Sequence, residues 1–196
     1  MKTYLKLLLG KGVRTSYGQF GEDAVIQATL RHIKRGKYVD VGAYDPVLYS
    51  NTYALYKKGW SGVVIDPNPS KERAFAHFRP RDEYVCAGVG ELGYKDYYLF
   101  KDGAYNSFVR GEGAVASIKT PVFPLQDFMS PEVSFLNIDV EGMDLEVLKT
   151  YDWSHKPKLV AVEAKLGSEC QTFLENLGYA LSGMAGCTLL FTYDTR

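Results

Sequence analysis

The chain has 196 residues, with 46% apolar and 23% charged residues, so it carries enough interior for one globular domain and is neither disordered nor fibrous. Lysine plus arginine (23) balance aspartate plus glutamate (23), which argues against a dedicated nucleic-acid or anionic-membrane binder. Aromatics reach 14%, mostly through fifteen tyrosines, which suits a site for something both flat and polar. The three cysteines (Cys86, Cys170, Cys187) and three histidines (His32, His77, His155) are scattered. No disulfide framework or zinc cluster is legible, so a reducing, cytoplasmic setting is expected, and any metal would need carboxylates. The run opening Met1-Lys2-Thr3-Tyr4-Leu5 is too short and interrupted for a signal peptide, and no stretch is apolar enough to span a membrane.

In chain order, Ile26, Leu30 and Ile33 fall on one face of a helix expected over 19–33. Residues 37–42 (Lys37 to Gly42) form a short β-rich run ending in glycine. A helix follows from Ser50 to Lys58, with Ser50 or Asn51 as N-cap and Gly59 as stop. Residues 62–66 form a second strand, closed by Pro67-Asn68-Pro69. Ser70 can cap a helix reaching about Phe78. A third strand covers 84–89, and 94–100 reads as an extended ribbon. Residues 102–121 read as a Gly-rich mobile loop. A strand over 133–140, a turn at Glu141-Gly142, a helix over 144–150 and a strand over 158–163 follow. A last helix shows the face Cys170, Phe173, Leu174, Leu177, and two strands (179–185, 187–193) meet at Gly186.

Strands alternate with helices, and the strands are continuously apolar. That predicts a parallel sheet covered on both faces, an α/β three-layer α-β-α sandwich of Rossmann-like type. The short link at Gly186 allows only antiparallel pairing of the last two strands. The expected organisation is one domain, with a helical segment over 1–36 and the core over 37–196, and the chain could be part of a longer protein.

Ligands of such sheets bind beyond the carboxyl ends of the strands. Those ends carry Asp66, Asp139 and Glu163, with Asp40 just inside the first; buried acids need partners, so their clustering points to a site. Gly42 allows close backbone approach, and Asp66, 24 residues on, offers two acceptors to a ribose. The second and third glycines of a pyrophosphate loop are absent, since Ala43-Tyr44-Asp45 follows Gly42. The loop therefore suits a nucleoside without phosphates, with S-adenosylmethionine the first candidate.

Val39-Asp40-Val41-Gly42-Ala43, the run from Ser50-Asn51-Thr52 to Gly62, Ile65-Asp66-Pro67-Asn68-Pro69 and Phe135-Leu136-Asn137-Ile138-Asp139-Val140-Glu141-Gly142 resemble the FkbM family of S-adenosylmethionine-dependent methyltransferases. Ser16-Tyr17-Gly18-Gln19-Phe20-Gly21-Glu22-Asp23 is similar to that family's N-terminal signature, and the resemblance covers about 16–165. It implies a class I methyltransferase fold with a seven-stranded sheet and one antiparallel strand, and O-methylation of sugar or polyketide hydroxyls. It also implies cofactor roles for Asp40, Gly42, Ala43 and Tyr44 in the first loop. Asp66, Pro67 and Asn68 would lie along the adenosine, and Gln19 and Glu22 would close over it. Ser50-Asn51 would bind its carboxylate through a helix N-terminus. Gly88 and Val89 stand where many methyltransferases carry an acid for adenine, so backbone groups would read the base.

Asp139, with Glu141 and Glu163 near it, is the expected base, and Asp139 with Glu163 could instead hold Mg²⁺ or Mn²⁺. Glu141 could equally cap the following helix, and Glu163 could equally pair with a lysine or backbone amides. Tyr44 and Tyr49 could stack on a sugar, and Asn106-Ser107-Phe108 could form an acceptor lid. Two other functions share parts of this pattern: a nicotinamide-dependent oxidoreductase, which needs the missing pyrophosphate loop, and a non-catalytic nucleoside-binding module. The expected partner is a small-molecule or glycan acceptor with a free hydroxyl.

Overall fold

The structure, a computed structural model, describes residues 15–194. The apolar opening run at 1–9 lies outside them.

Seven strands form the main sheet: β1 (Lys37–Val41), β2 (Ser61–Ile65), β3 (Glu83–Val85), β7 (Val133–Ile138), β8 (Leu159–Glu163), β9 (Ala180–Ala185) and β10 (Thr188–Thr192). Their order is β3-β2-β1-β7-β8-β10-β9, parallel except that β10 runs antiparallel to both neighbours. Among the described residues the α-helices are α1 (Glu22–Thr29), α2 (Tyr53–Lys57), α3 (Glu72–Phe78), α4 (Asp144–Lys149) and α5 (Glu169–Asn176).

Successive strand residues point to opposite faces, and here both faces are covered. One core joins Val39 and Val41 of β1 to Leu136 and Ile138 of β7, and packs Val147 and Leu148 of α4 and Leu174 of α5 against them. The other joins Tyr38, Phe135 and Val64 to Ile26 of α1, Leu30 at its end, Leu55 of α2 and Phe75 of α3. Burial on both sides explains why these strands read as unbroken apolar runs. Gly186, with φ 57°, makes the tight link between β9 and β10.

Several expectations change, among them the helix expected from Ser50 to Lys58, which is Tyr53–Lys57 with Thr52 at its N-cap. The strand expected over 84–89 breaks at Cys86-Ala87: its first half is β3, and its second is β4 (Gly88–Val89), which leaves for a separate sheet ordered β4-β6-β5. The supposed loop over 102–121 ends in β6 (Ala116–Phe123), which pairs antiparallel along all of β5 (Gly93–Leu99). The glycines of 103–113 hid a β-prone segment whose partner precedes the loop. The first helix begins only at Glu22, because Gly21 sits at φ 87°. Asn68, rather than Ser70, caps the turn into α3, its Oδ1 accepting from Ser70 N at 3.1 Å.

Arg79, fully buried just past α3, organises the second core's polar groups. Its Nε pairs with Asp82 at 2.6 Å, and its Nη2 donates to Tyr38 Oη at 3.0 Å and Thr52 Oγ1 at 2.9 Å. With Nη1 donating to Ser50 Oγ at 3.3 Å, every guanidinium nitrogen has an acceptor, which favours burying the group. The Arg79→Ala variant leaves Asp82 and Asp40 buried without that cation. It should lose about 3–5 kcal/mol of stability, measured by urea unfolding.

Candidate active site

A cleft of about 910 Å³, counting its open mouth, lies beyond the carboxyl ends of β1, β2 and β7. Hydrogen bonds tie the three strand tips into one floor: Gly42 N and Ala43 N donate to Ile65 O, and Asp139 N donates to Val41 O. Gly42 has φ 81°, and a Cβ on it would collide with the Asp139 carbonyl, so only glycine lets these loops meet.

Asp66, just past β2, is braced by its own loop. Its Oδ2 accepts from Tyr44 N at 3.0 Å and its Oδ1 from Asn68 N at 2.8 Å. Two amides fix the carboxylate and leave it acceptor capacity toward the cleft. Burial pushes its pKa up to about 6, against the two amides and Lys71, which lower it.

Asp139, Glu141 and Glu163 bring carboxylate oxygens within 4.8 Å of one another. Burial holds Asp139 well above the usual carboxylate range, and Glu163, hydrogen-bonded to it, raises it further. Burial and Glu163 also raise Glu141. Cys187, in the β9–β10 link, is pushed up to about 12 by burial and its bond to Glu163. Glu141 is not a helix cap. Met143 is the N-cap of α4 and makes no side-chain cap bond, while Asp144, within α4, accepts from Val140 N at 3.4 Å. Glu163's partners are Asp139 and Cys187, not a lysine.

Tyr44, Tyr49 and Glu141 all adopt positive φ (45°, 56° and 54°), and all three line the cleft. Non-glycine residues avoid this region, and backbone strain concentrates at functional sites. The rings of Tyr44 and Tyr49 stack at 6.3 Å.

Of the expected cofactor residues, Gln19, Glu22, Gly42, Tyr44, Asn51, Asp66, Pro67, Gly88 and Val89 line the cleft. Asp40, Ala43, Ser50 and Asn68 do not. Asp40 has the strand parity of Tyr38, so it points into the second core. There its Oδ1 accepts from Asn137 Nδ2 at 2.9 Å, and Oδ2 accepts from the Thr52 hydroxyl. Ala43 is buried in the same core. Ser50 accepts from Tyr53 N at 3.1 Å, so it occupies the N-terminal amide expected to hold a carboxylate, and α2 has only five residues. Asn68 is spent on its cap. Glu163 stands behind Asp139 and reaches the cleft through it. Tyr97 of β5, Ala87, Cys187 and Thr188 also line the cleft, and the sequence offered no sign of them. Asn106 and Phe108, read as part of a lid, line it too. Phe108 packs on Tyr97 at 5.0 Å and lies so close to Gly88 that a Cβ there would strike its ring.

The described lining holds four acids (Glu22, Asp66, Asp139, Glu141) and neither lysine nor arginine. Such a cleft disfavours phosphates and favours a cation.

This sheet order, with its antiparallel strand next to the last, and a cleft over the first strand tips define the class I S-adenosylmethionine-dependent methyltransferase fold. The chain belongs to the FkbM methyltransferase family, whose methyltransferase FkbM domain matches residues 40–181. An FkbM methyltransferase from Methylobacillus flagellatus KT superposes with a TM-score of 0.55 at 19% identity, over 82% of this chain and 44% of that one. The chain thus spans less than half of that protein's length. A precorrin-6y C5,15-methyltransferase from Geobacter metallireducens GS-15 superposes with a TM-score of 0.52 at 14% identity, covering 94% of each chain. At these identities the likeness is one of fold. No curated protein matches the chain. Among the described residues no helix is long and apolar enough to cross a membrane.

If Asp66 receives ribose hydroxyls, its ionised form is the binding form. S-adenosylhomocysteine affinity, measured by calorimetry, should hold above about pH 7 and fall as pH drops below about 6, because the protonated carboxyl loses acceptor capacity. Asp66→Asn should bind about 10–100-fold more weakly at neutral pH and lose that acid limb.

Proposed function

We propose that the protein is an S-adenosylmethionine-dependent O-methyltransferase acting on a hydroxyl of a sugar, glycan or related natural product. The observation that carries this reading is the acidic lining, together with the absence of a cationic side chain from the described part of it. A dinucleotide brings a pyrophosphate anion to such a cleft, whereas S-adenosylmethionine brings a sulfonium and an ammonium, so the charge favours the second over a nicotinamide cofactor. Family membership supports the same cofactor. A purely binding module has no use for a half-buried acid pair at the strand ends, where burial and a like charge raise a proton affinity.

The residues present fit the cofactor. Asp66 accepts the ribose hydroxyls, Gly42 lets the backbone lie close beneath, and Gly88-Val89 offers a flat wall for the base. Gln19 and Glu22 cover the methionine end. When bound, the cofactor supplies an electrophilic methyl group for in-line displacement. Asp139 accepts the proton of the acceptor hydroxyl. Burial and Glu163 raise its proton affinity, which favours taking up that proton. Tyr44 and Tyr49, stacked and lining the cleft, suit the face of a sugar ring.

The convergence of Asp139, Glu141 and Glu163 supports one variant of this chemistry. Three carboxylates can hold Mg²⁺ or Mn²⁺, which would then acidify the hydroxyl. The free thiols of Cys86, Cys170 and Cys187 accord with a cytoplasmic setting.

Asp139→Asn should keep S-adenosylhomocysteine binding and lower methyl transfer to a deoxysugar or glycan acceptor about 10²–10⁴-fold. Glu163→Gln removes the like charge, so the acid limb of the rate profile should move to lower pH. Full turnover in Asp139→Asn would remove this residue from the chemistry. Loss of all activity on adding a chelator, restored by Mg²⁺ or Mn²⁺, would assign the acids to a cation instead.

A further inference from the structure

Among the described residues, one buried side-chain polar atom lacks a hydrogen-bond partner: Asn51 Oδ1. Asn51 lines the cleft and is 7% exposed. An unpaired buried carbonyl costs about 1–3 kcal/mol, so its persistence calls for a reason.

The reason lies in a chain of hydrogen bonds whose direction is fixed from one end. Arg79 has donors only, so Thr52 Oγ1 accepts from its Nη2 at 2.9 Å. The Thr52 hydroxyl proton is then free to go to Asp40, and does. Both Asp40 oxygens accept, Oδ2 from Thr52 and Oδ1 from the amide nitrogen of Asn137 at 2.9 Å, which fixes the turn of the Asn137 amide. That leaves Asn137 Oδ1 facing Asn51, which must present its own nitrogen, at 3.1 Å. The oxygen of Asn51 is the one end left over. Asp40 and Asn137 sit opposite each other in the β1–β7 register, so the sheet itself holds the middle of the chain.

A second acceptor stands beside this oxygen. A Cβ on Gly18 would come within 2.5 Å of Glu22 Oε2 and 3.0 Å of Asn51 Oδ1, so the two oxygens lie close to each other, and both residues line the cleft. Glu22 is buried, and its Oε2 already receives Phe20 N at 2.8 Å. Two neighbouring buried acceptors, the Asn51 oxygen among them without a partner, form a half-built cation site.

We propose that the Arg79–Thr52–Asp40–Asn137 relay locks the Asn51 amide with its oxygen free, and that this oxygen, with Glu22, selects a ligand by its primary ammonium group. The inference rests on the cofactor reading above and identifies the group as the α-ammonium of S-adenosylmethionine. Asn137 is a positioning residue: it touches no ligand and sets which end of Asn51 the ligand meets.

The test compares S-adenosylhomocysteine with the thioether of adenosine and 4-mercaptobutyrate, which lacks only the amino group. The wild-type protein should prefer the first by about 10–100-fold, as expected for a charge-assisted hydrogen bond. Asn137→Ala frees the Asn51 amide to turn over. The preference should shrink to about 3-fold or less, with affinity for the deaminated ligand nearly unchanged. Adding Asn51→Asp to that variant should restore the preference, because a carboxylate has no wrong end. Thermal unfolding checks that each variant is folded. If Asn137→Ala does not fold, Asn51→Asp and Asn51→Leu in the wild-type background should respectively keep and lose the preference.

Equal weakening of both ligands in Asn137→Ala would make the residue merely structural and overturn the proposal. Equal wild-type affinity for the two ligands would also overturn it, while leaving the cofactor reading standing. Wild-type binding of neither would sink the cofactor reading itself.

Discussion

The close passage of Gly42 against the Asp139 carbonyl is the contact on which the site depends. β1 and β7 are neighbours in the sheet but nearly a hundred residues apart in the chain, and their tips must cross without a side chain between them. Given that crossing, the loop that cradles a nucleoside and the acid that can receive a proton share one cleft. Any side chain at position 42 would push them apart and would also strain a backbone held at positive φ.

Two kinds of acid serve this arrangement, and environment separates them. Asp66 and Asp139 stand at the cleft, where burial raises their proton affinity and leaves them something to do. Asp40 and Asp82 face the other core, around Arg79, where every oxygen is engaged in holding helices to sheet. The second set reaches the edge of the cleft through Asn137 and Asn51. The stability of the fold and the polarity of the cleft are therefore joined by one hydrogen-bonded path.

The strands at the centre of the sheet were legible because both faces are buried: Val39 to Val41, Val63 to Ile65 and Phe135 to Ile138 read as apolar runs whatever their neighbours. β4 and β6 were not legible, since neither belongs to the main sheet and each depends on a partner across a glycine-rich stretch. In the site, Asp66 and Asp139 could be placed because a strand end positions the side chain that follows it. Asp40 was misplaced by one step of strand parity, and its hydrogen-bond partners, Thr52 and Asn137, come from the start of α2 and from a strand nearly a hundred residues on. Tyr97 and Cys187 reach the cleft from the second sheet and the final hairpin, and only the tertiary structure brings them there. The strain at Tyr44, Tyr49 and Glu141 was likewise beyond sequence, because nothing in a tyrosine or glutamate announces a positive φ.

A crystal structure of the protein with S-adenosylhomocysteine tests the central claim most directly. The account predicts the nucleoside in the cleft over β1 and β2, with its ribose hydroxyls on the Asp66 carboxylate and its sulfur turned toward Asp139. A ligand bound elsewhere, or in the cleft with the ribose away from Asp66, would contradict it.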